Sequence, residues 1–204
     1  MPDVRSVICL ACHAMNGWSI GSHATSGARV HGRAVDPRER LPYNTVADNG
    51  CTNCHKIHSA EGRERLLRFR REEDNCLNCH NGSVARTNIA GEVRKRSSHP
   101  VEMFFGRHDP TEDPRVMPRH VECVDCHNPH AVGPVVSGLV GRPSLGAPDQ
   151  SGWHVSGVDR LGRVVERSRF EYEICFRCHA DNLARSRLTA VSRQITQTNT
   201  RIEF

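Results

Sequence analysis

Residues 51–58 read CTNCHKIH. Two cysteines stand three apart, a histidine follows at once, and a second histidine comes three residues later. The C-x-x-C-H part recurs as CLACH at 9–13, CLNCH at 76–80, CVDCH at 123–127 and CFRCH at 175–179. With CTNCH at 51–55, these pentapeptides use all ten cysteines of the 204-residue chain. None remains for another purpose.

A C-x-x-C-H spacing fits covalent attachment of c-type haem. Two thiols add to the two vinyl groups of one porphyrin, and the adjacent histidine ligates its iron from one face. The expected attachment pairs are Cys9 and Cys12, Cys51 and Cys54, Cys76 and Cys79, Cys123 and Cys126, and Cys175 and Cys178. His13, His55, His80, His127 and His179 are the expected proximal ligands. Structural zinc takes four cysteines or a Cys/His mixture, so five pairs would leave one unmatched. Neither iron–sulfur ligation nor a disulfide framework requires a histidine after each pair. With 13 histidines in 204 residues, five such coincidences have a chance of about one in a million. The sequence predicts five covalently attached haems.

Composition agrees. Aromatics are 5% of the chain and hydrophobic residues 37%, ten of them the cysteines already assigned. Haem is therefore expected to supply core material, and folding to depend on its attachment, as small metallo-domains depend on metal. The fold expected is mostly irregular, with short α-helices at the haem motifs and minimal β structure, in a single pentahaem domain over 1–204. The formal charge of +5 is offset by about ten propionates and about +1 per ferric porphyrin. The basic residues are scattered and lack interleaved aromatics, which argues against nucleic acid as a partner. No stretch approaches a transmembrane length. Because c-type haem is attached outside the cytoplasmic membrane, the chain is expected to be exported, to the periplasm or the cell exterior.

Connections between motifs carry breakers, at DPRERLP (36–42), HDPTEDPRVMP (108–118) and 132–152. Between the second and third motifs, EGRERLLRFRREEDN (61–75) is expected to form a short helix around Leu66, Leu67 and Phe69. RVVERSRFEYE (163–173) alternates as a hairpin or short strand would. The polar tail 180–204 is expected to order against a neighbouring molecule.

His55 and His58 are three apart, as are His127 and His130 in CVDCHNPH. On one helical turn both rings would lie beneath the same porphyrin face, so they cannot straddle one iron. His58 and His130 are each expected to ligate a different haem, drawing two porphyrins together. Eight histidines remain after the proximal five: His23, His31, His58, His99, His108, His120, His130 and His154. His58, His130, His99, His23 and His120 are the expected distal ligands, with His31, His108 and His154 in reserve. Of the methionines, Met15 lies too close to its own motif, leaving Met103 and Met117 as alternatives. Bis-histidine ligation is expected throughout.

With CHKIH, RLLRFRREEDNCLNCHNG, SSHPV, RHVECVDCHNPHA and EYEICFRCHADN in view, the chain resembles the doubled-CxxCH multihaem cytochromes. The resemblance implies an exported electron carrier with stacked bis-histidine haems and little regular secondary structure. It also leaves room for a distal ligand from another subunit. The function expected is electron transfer, not catalysis, with other redox proteins as partners. The chain would be a carrier, or a self-associating subunit of an extracellular filament or redox complex. The alternative, a multihaem reductase of a small oxyanion such as nitrite, needs one open iron position.

Overall fold

A computed structural model describes residues 4–15, 17–30, 41–62, 65–103, 120–132, 155–166 and 168–180. His31, His108, His154, Met117, the segment 108–118 and the tail beyond Ala180 lie outside the described residues. The chain divides into two compact units. The first comprises Met1–His108, His120–Cys123 and Pro129–Val132, and the second Asp109–Arg119, Val124–Asn128 and Gly133–Phe204.

Regular structure is short, as expected. The first unit holds α1 (Val7–Leu10), α2 (Ser22–Thr25), α3 (Val46–Asn49), α4 (Glu72–Leu77) and α5 (Ile89–Val93). The last three begin where the sequence supplies a local reason. Thr45 caps α3, its hydroxyl accepting from Asp48 N at 3.1 Å. Asn88 caps α5, its Oδ1 accepting from Gly91 N at 2.9 Å. Glu72, Glu73 and Asp74 place negative charge at the start of α4, where the helix dipole favours it.

The second unit holds a two-stranded antiparallel sheet, β1 (Gly157–Val158) with β2 (Val164–Val165), and the longest helix, α6 (Glu171–His179). Asp159 closes the hairpin, its Oδ1 accepting from Leu161 N at 2.8 Å and Arg163 N at 2.9 Å. Val155, Val158, Ile174 and Phe176 form its buried apolar cluster.

One local expectation is corrected, and a second, the hairpin or short strand over 163–173, holds over part of its range. Among the described residues of 61–71 there is no helix. Leu66 has φ of 55°, and Leu67 bridges to His55 and Gly62. Lys56 N donates to Leu66 O at 2.7 Å and Arg68 N to Cys54 O at 2.9 Å. The backbone groups a helix would use are thus taken by pairing with the CTNCH segment, and the helix starts only at Glu72. The alternation over 163–173 yields strand only at Val164–Val165. The chain is helical from Glu171, because the Glu173 carboxylate caps the helix start, accepting from Arg169 N at 2.6 Å and Phe170 N at 3.1 Å.

The buried set is unusual for a small domain. Among the described residues, eleven apolar side chains are buried, from Trp18 to Phe176, and so are eleven polar or charged ones. Buried polar groups are for the most part hydrogen-bonded, and much of this set lies next to the five motifs.

Candidate haem centres

Each attachment motif sits on a helical turn. In the first three, the second cysteine N donates to the first cysteine O at 3.1–3.2 Å, and the histidine N to the same carbonyl at 2.9 Å. CVDCH opens on a 3-10 turn, Cys123–Asp125, and CFRCH closes α6. Such a turn brings positions i, i+3 and i+4 to one face, which gathers two thiols and an imidazole for one porphyrin. None of the ten cysteines is paired in a disulfide.

A buried polar side chain braces the chain just before four of these turns. Asn49 Nδ2 donates to Tyr43 O at 2.9 Å and Thr45 O at 2.7 Å, while its Oδ1 accepts from Tyr43 N at 3.0 Å. Asn75 repeats this pattern with Phe69 and Arg71: Nδ2 to Phe69 O at 3.3 Å and to Arg71 O at 2.9 Å, and Phe69 N to Oδ1 at 3.2 Å. In both, the partners lie six and four residues upstream. Glu173 does comparable work before CFRCH. Ser6, fully buried before CLACH, accepts from Cys51 N at 2.5 Å and so ties the first turn to the second. The sequence analysis missed these residues. Their signal is an Asn or Glu one or two positions ahead of the cysteine, in DNGC, EDNC and YEIC.

Four histidines meet in two pairs within the first unit. His55 and His130 have ring centroids 6.0 Å apart and planes inclined by 9°. His23 and His80 have centroids 6.1 Å apart and planes inclined by 68°. Two metal–nitrogen bonds of about 2.0 Å, with about 1.1 Å from each nitrogen to its ring centre, would separate opposed imidazole ligands by about 6.2 Å. A direct N–H···N hydrogen bond would draw the centroids to about 5 Å. The centroid spacing of each pair therefore matches that of two imidazoles sharing one iron.

Tautomers agree with this fit. His55 Nδ1 donates to Arg65 O at 2.8 Å, and His23 Nδ1 to Pro129 O at 3.0 Å. A carbonyl can only accept, so the proton sits on Nδ1 and the lone pair on Nε2. Such outer bonds also fix the ring orientation of a metal ligand. Burial, then the neighbouring His55 and His23, hold His130 below its usual pKa and keep it neutral, as ligation requires.

The other expected ligands are placed differently. His58 is exposed and makes no ring contact among the described residues, and His99 is exposed. His120 is buried. Neither HxxH segment forms one helical turn: His55 pairs as a bridge with Leu67, and the 3-10 turn of CVDCH ends at Asp125. Met15 and Met103 are exposed.

Thiols of different motifs also approach one another. The Cys76 and Cys123 thiols are hydrogen-bonded together, which raises the first and lowers the second. Burial pushes Cys54 up to about 11, with Cys79 as the nearest charge that would oppose its ionisation. In the second unit burial pushes Cys126 up to about 12, and Asp125, Cys175 and Cys178 add to this. There Arg177 Nη1 donates to Asp125 O at 3.1 Å, so the third residue of CFRCH grips the third residue of CVDCH.

Comparison with known proteins adds one decisive match, over residues 44–85, where the paired turns at CTNCH and CLNCH lie. This segment is a doubled CXXCH motif. The doubled motif indicates covalently bound c-type haem, and the chain is consistent with a multihaem c-type cytochrome. No curated protein and no solved structure matches the chain. Among the described residues no helix is long and apolar enough to cross a membrane.

Proposed function

We propose that the chain binds five c-type haems and passes electrons among them, without substrate chemistry of its own. Bound haem supplies reversible one-electron chemistry at its iron. The observation that carries this reading is the meeting of His23 with His80 and of His130 with His55 at iron-spanning distance. At these two irons a histidine on each side would leave no open position for a substrate, whereas catalytic metal sites keep one.

The cysteine contacts support an order. Cys54 lies near Cys79 and Cys76 against Cys123 in the first unit, while Cys126 lies near Cys175 and Cys178 in the second. Within the first unit this brings the second and third motifs, and the third motif and Cys123, close together, and within the second unit it brings Cys126 close to the fifth motif. Such a protein serves as an exported carrier or as a subunit of an extracellular cytochrome filament or redox complex, exchanging electrons with other redox proteins.

The test combines haem stoichiometry by pyridine haemochrome with iodoacetamide labelling in denaturant. Five haems and no labelled cysteine are expected; each motif lacking haem would expose two thiols. Quantitative low-temperature EPR should show only low-spin ferric haem. One high-spin haem per chain would sink the reading in favour of a reductase.

A further inference from the structure

The two histidine pairs differ in one respect that bears on the haems they would hold. Imidazole planes lie 9° apart in one pair and 68° apart in the other. A ligating ring contains its own metal–nitrogen bond, so the angle between planes is the angle between ligands viewed along the axis. Coplanar imidazoles donate π density into the same iron orbital and split the upper d pair. Crossed imidazoles act on both orbitals almost equally and leave them nearly degenerate. In ferric low-spin haem the first arrangement gives a rhombic EPR signal, and the second a broad signal with a large maximal g.

The geometry points to a specific assignment: His130 is the axial partner of His55 on the haem held by Cys51 and Cys54, in a coplanar arrangement, and His23 is the axial partner of His80 on the haem held by Cys76 and Cys79, in a crossed one. This rests on the haem-binding reading above and goes beyond it by naming which histidine serves which iron. Three features keep the angles apart. His55 is turned by its bond to Arg65 O, and His23 by its bond to Pro129 O. Buried Trp18 lies with its ring centroid 6.5 Å from that of His130. Ser22 N, next to His23, donates to Val132 O at 2.6 Å and holds the 22–23 segment against the chain that carries His130.

The same contacts couple the two centres. His23 Nδ1 is bonded to the carbonyl of Pro129, whose peptide continues directly to His130. One hydrogen bond and one peptide therefore connect the distal ligands of two irons. With haem bound, His23 and His130 would hold the two groups that supply one-electron chemistry, linked through this connection.

The test uses the haem-loaded protein, the variants His130→Met and His23→Met, EPR and a redox titration followed optically. Methionine preserves a sixth ligand and raises the potential, so each variant should keep five haems and show one haem titrating higher. His130→Met should remove one rhombic signal and spare the large-g signal. His23→Met should do the reverse. Loss of the same signal class in both, or exchange of the two patterns, overturns the assignment. Where a variant loses haem, the wild-type spectrum decides: absence of either signal class overturns it, and presence of both supports it. Wild-type protein without haem overturns instead the functional reading itself.

Discussion

Gly50→Ala should separate the first two attachment turns. Gly50 stands directly before Cys51 with φ of 52° and ψ of −125°, a region that L-residues avoid at a cost of about 1–3 kcal/mol. A Cβ there would fall well inside contact distance of Ser6 Oγ, 3.1 Å from Ser6 Cβ and 3.2 Å from the Arg5 carbonyl carbon. Ser6 is fully buried, so its hydroxyl cannot swing into solvent. It also accepts the bond from Cys51 N, and breaking that bond while leaving the amide buried costs about 1–3 kcal/mol more. The sum is about 2–6 kcal/mol, reaching into the larger effects of single substitutions. Guanidinium unfolding of the haem-loaded variant, with haem content measured in parallel, reads it. Adding Ser6→Gly removes the obstructing hydroxyl, so the pair should fall short of additivity by about 1–2 kcal/mol. A variant within about 1 kcal/mol of the parent, fully loaded with haem, would refute the reasoning.

Burial pushes the Glu73 carboxyl from its usual 4.5 up to about 7, and Glu122 and Glu72 reinforce this against Arg71. The folded state then binds the proton more tightly than the unfolded one, so this contribution to stability is full below pH 4.5 and is lost as pH rises through about 7. Glu73→Gln should accordingly gain in guanidinium midpoint over the parent at pH 8 and much less at pH 5; parallel pH curves would count against it. Asn49→Leu keeps the volume but leaves Tyr43 and Thr45 without three bonds, and should cost about 2–4 kcal/mol with reduced haem occupancy at CTNCH by peptide mass mapping. Arg177→Met removes the cation beside the buried Asp125 and should cost about 2–4 kcal/mol, measured as a lower unfolding midpoint; an unchanged midpoint would show the pair to be inert.

The sequence by itself determined the cofactor and the bulk of the architecture. Haem attachment is local chemistry: two thiols and an imidazole within five residues need no distant partner, so each site can be read from one pentapeptide. A chain poor in aromatics, with breakers between its motifs, was legible as short helices and loops for the same reason. The ligands proposed for the far side of the iron rest on the tertiary structure. His130 is seventy-five residues from His55 and His23 fifty-seven from His80, and no spacing rule connects them. Spacing also took the residues after His55 to continue a helical turn, whereas His55 bridges to Leu67. Long-range backbone pairing, at Lys56 with Leu66 and at Ser22 with Val132, determines where those rings point. The buried Asn, Ser and Glu braces were hidden likewise, because a polar residue before a motif looks solvated until the chain folds over it. Attachment is written in adjacent residues, whereas ligation from the opposite face depends on segments that only packing brings together.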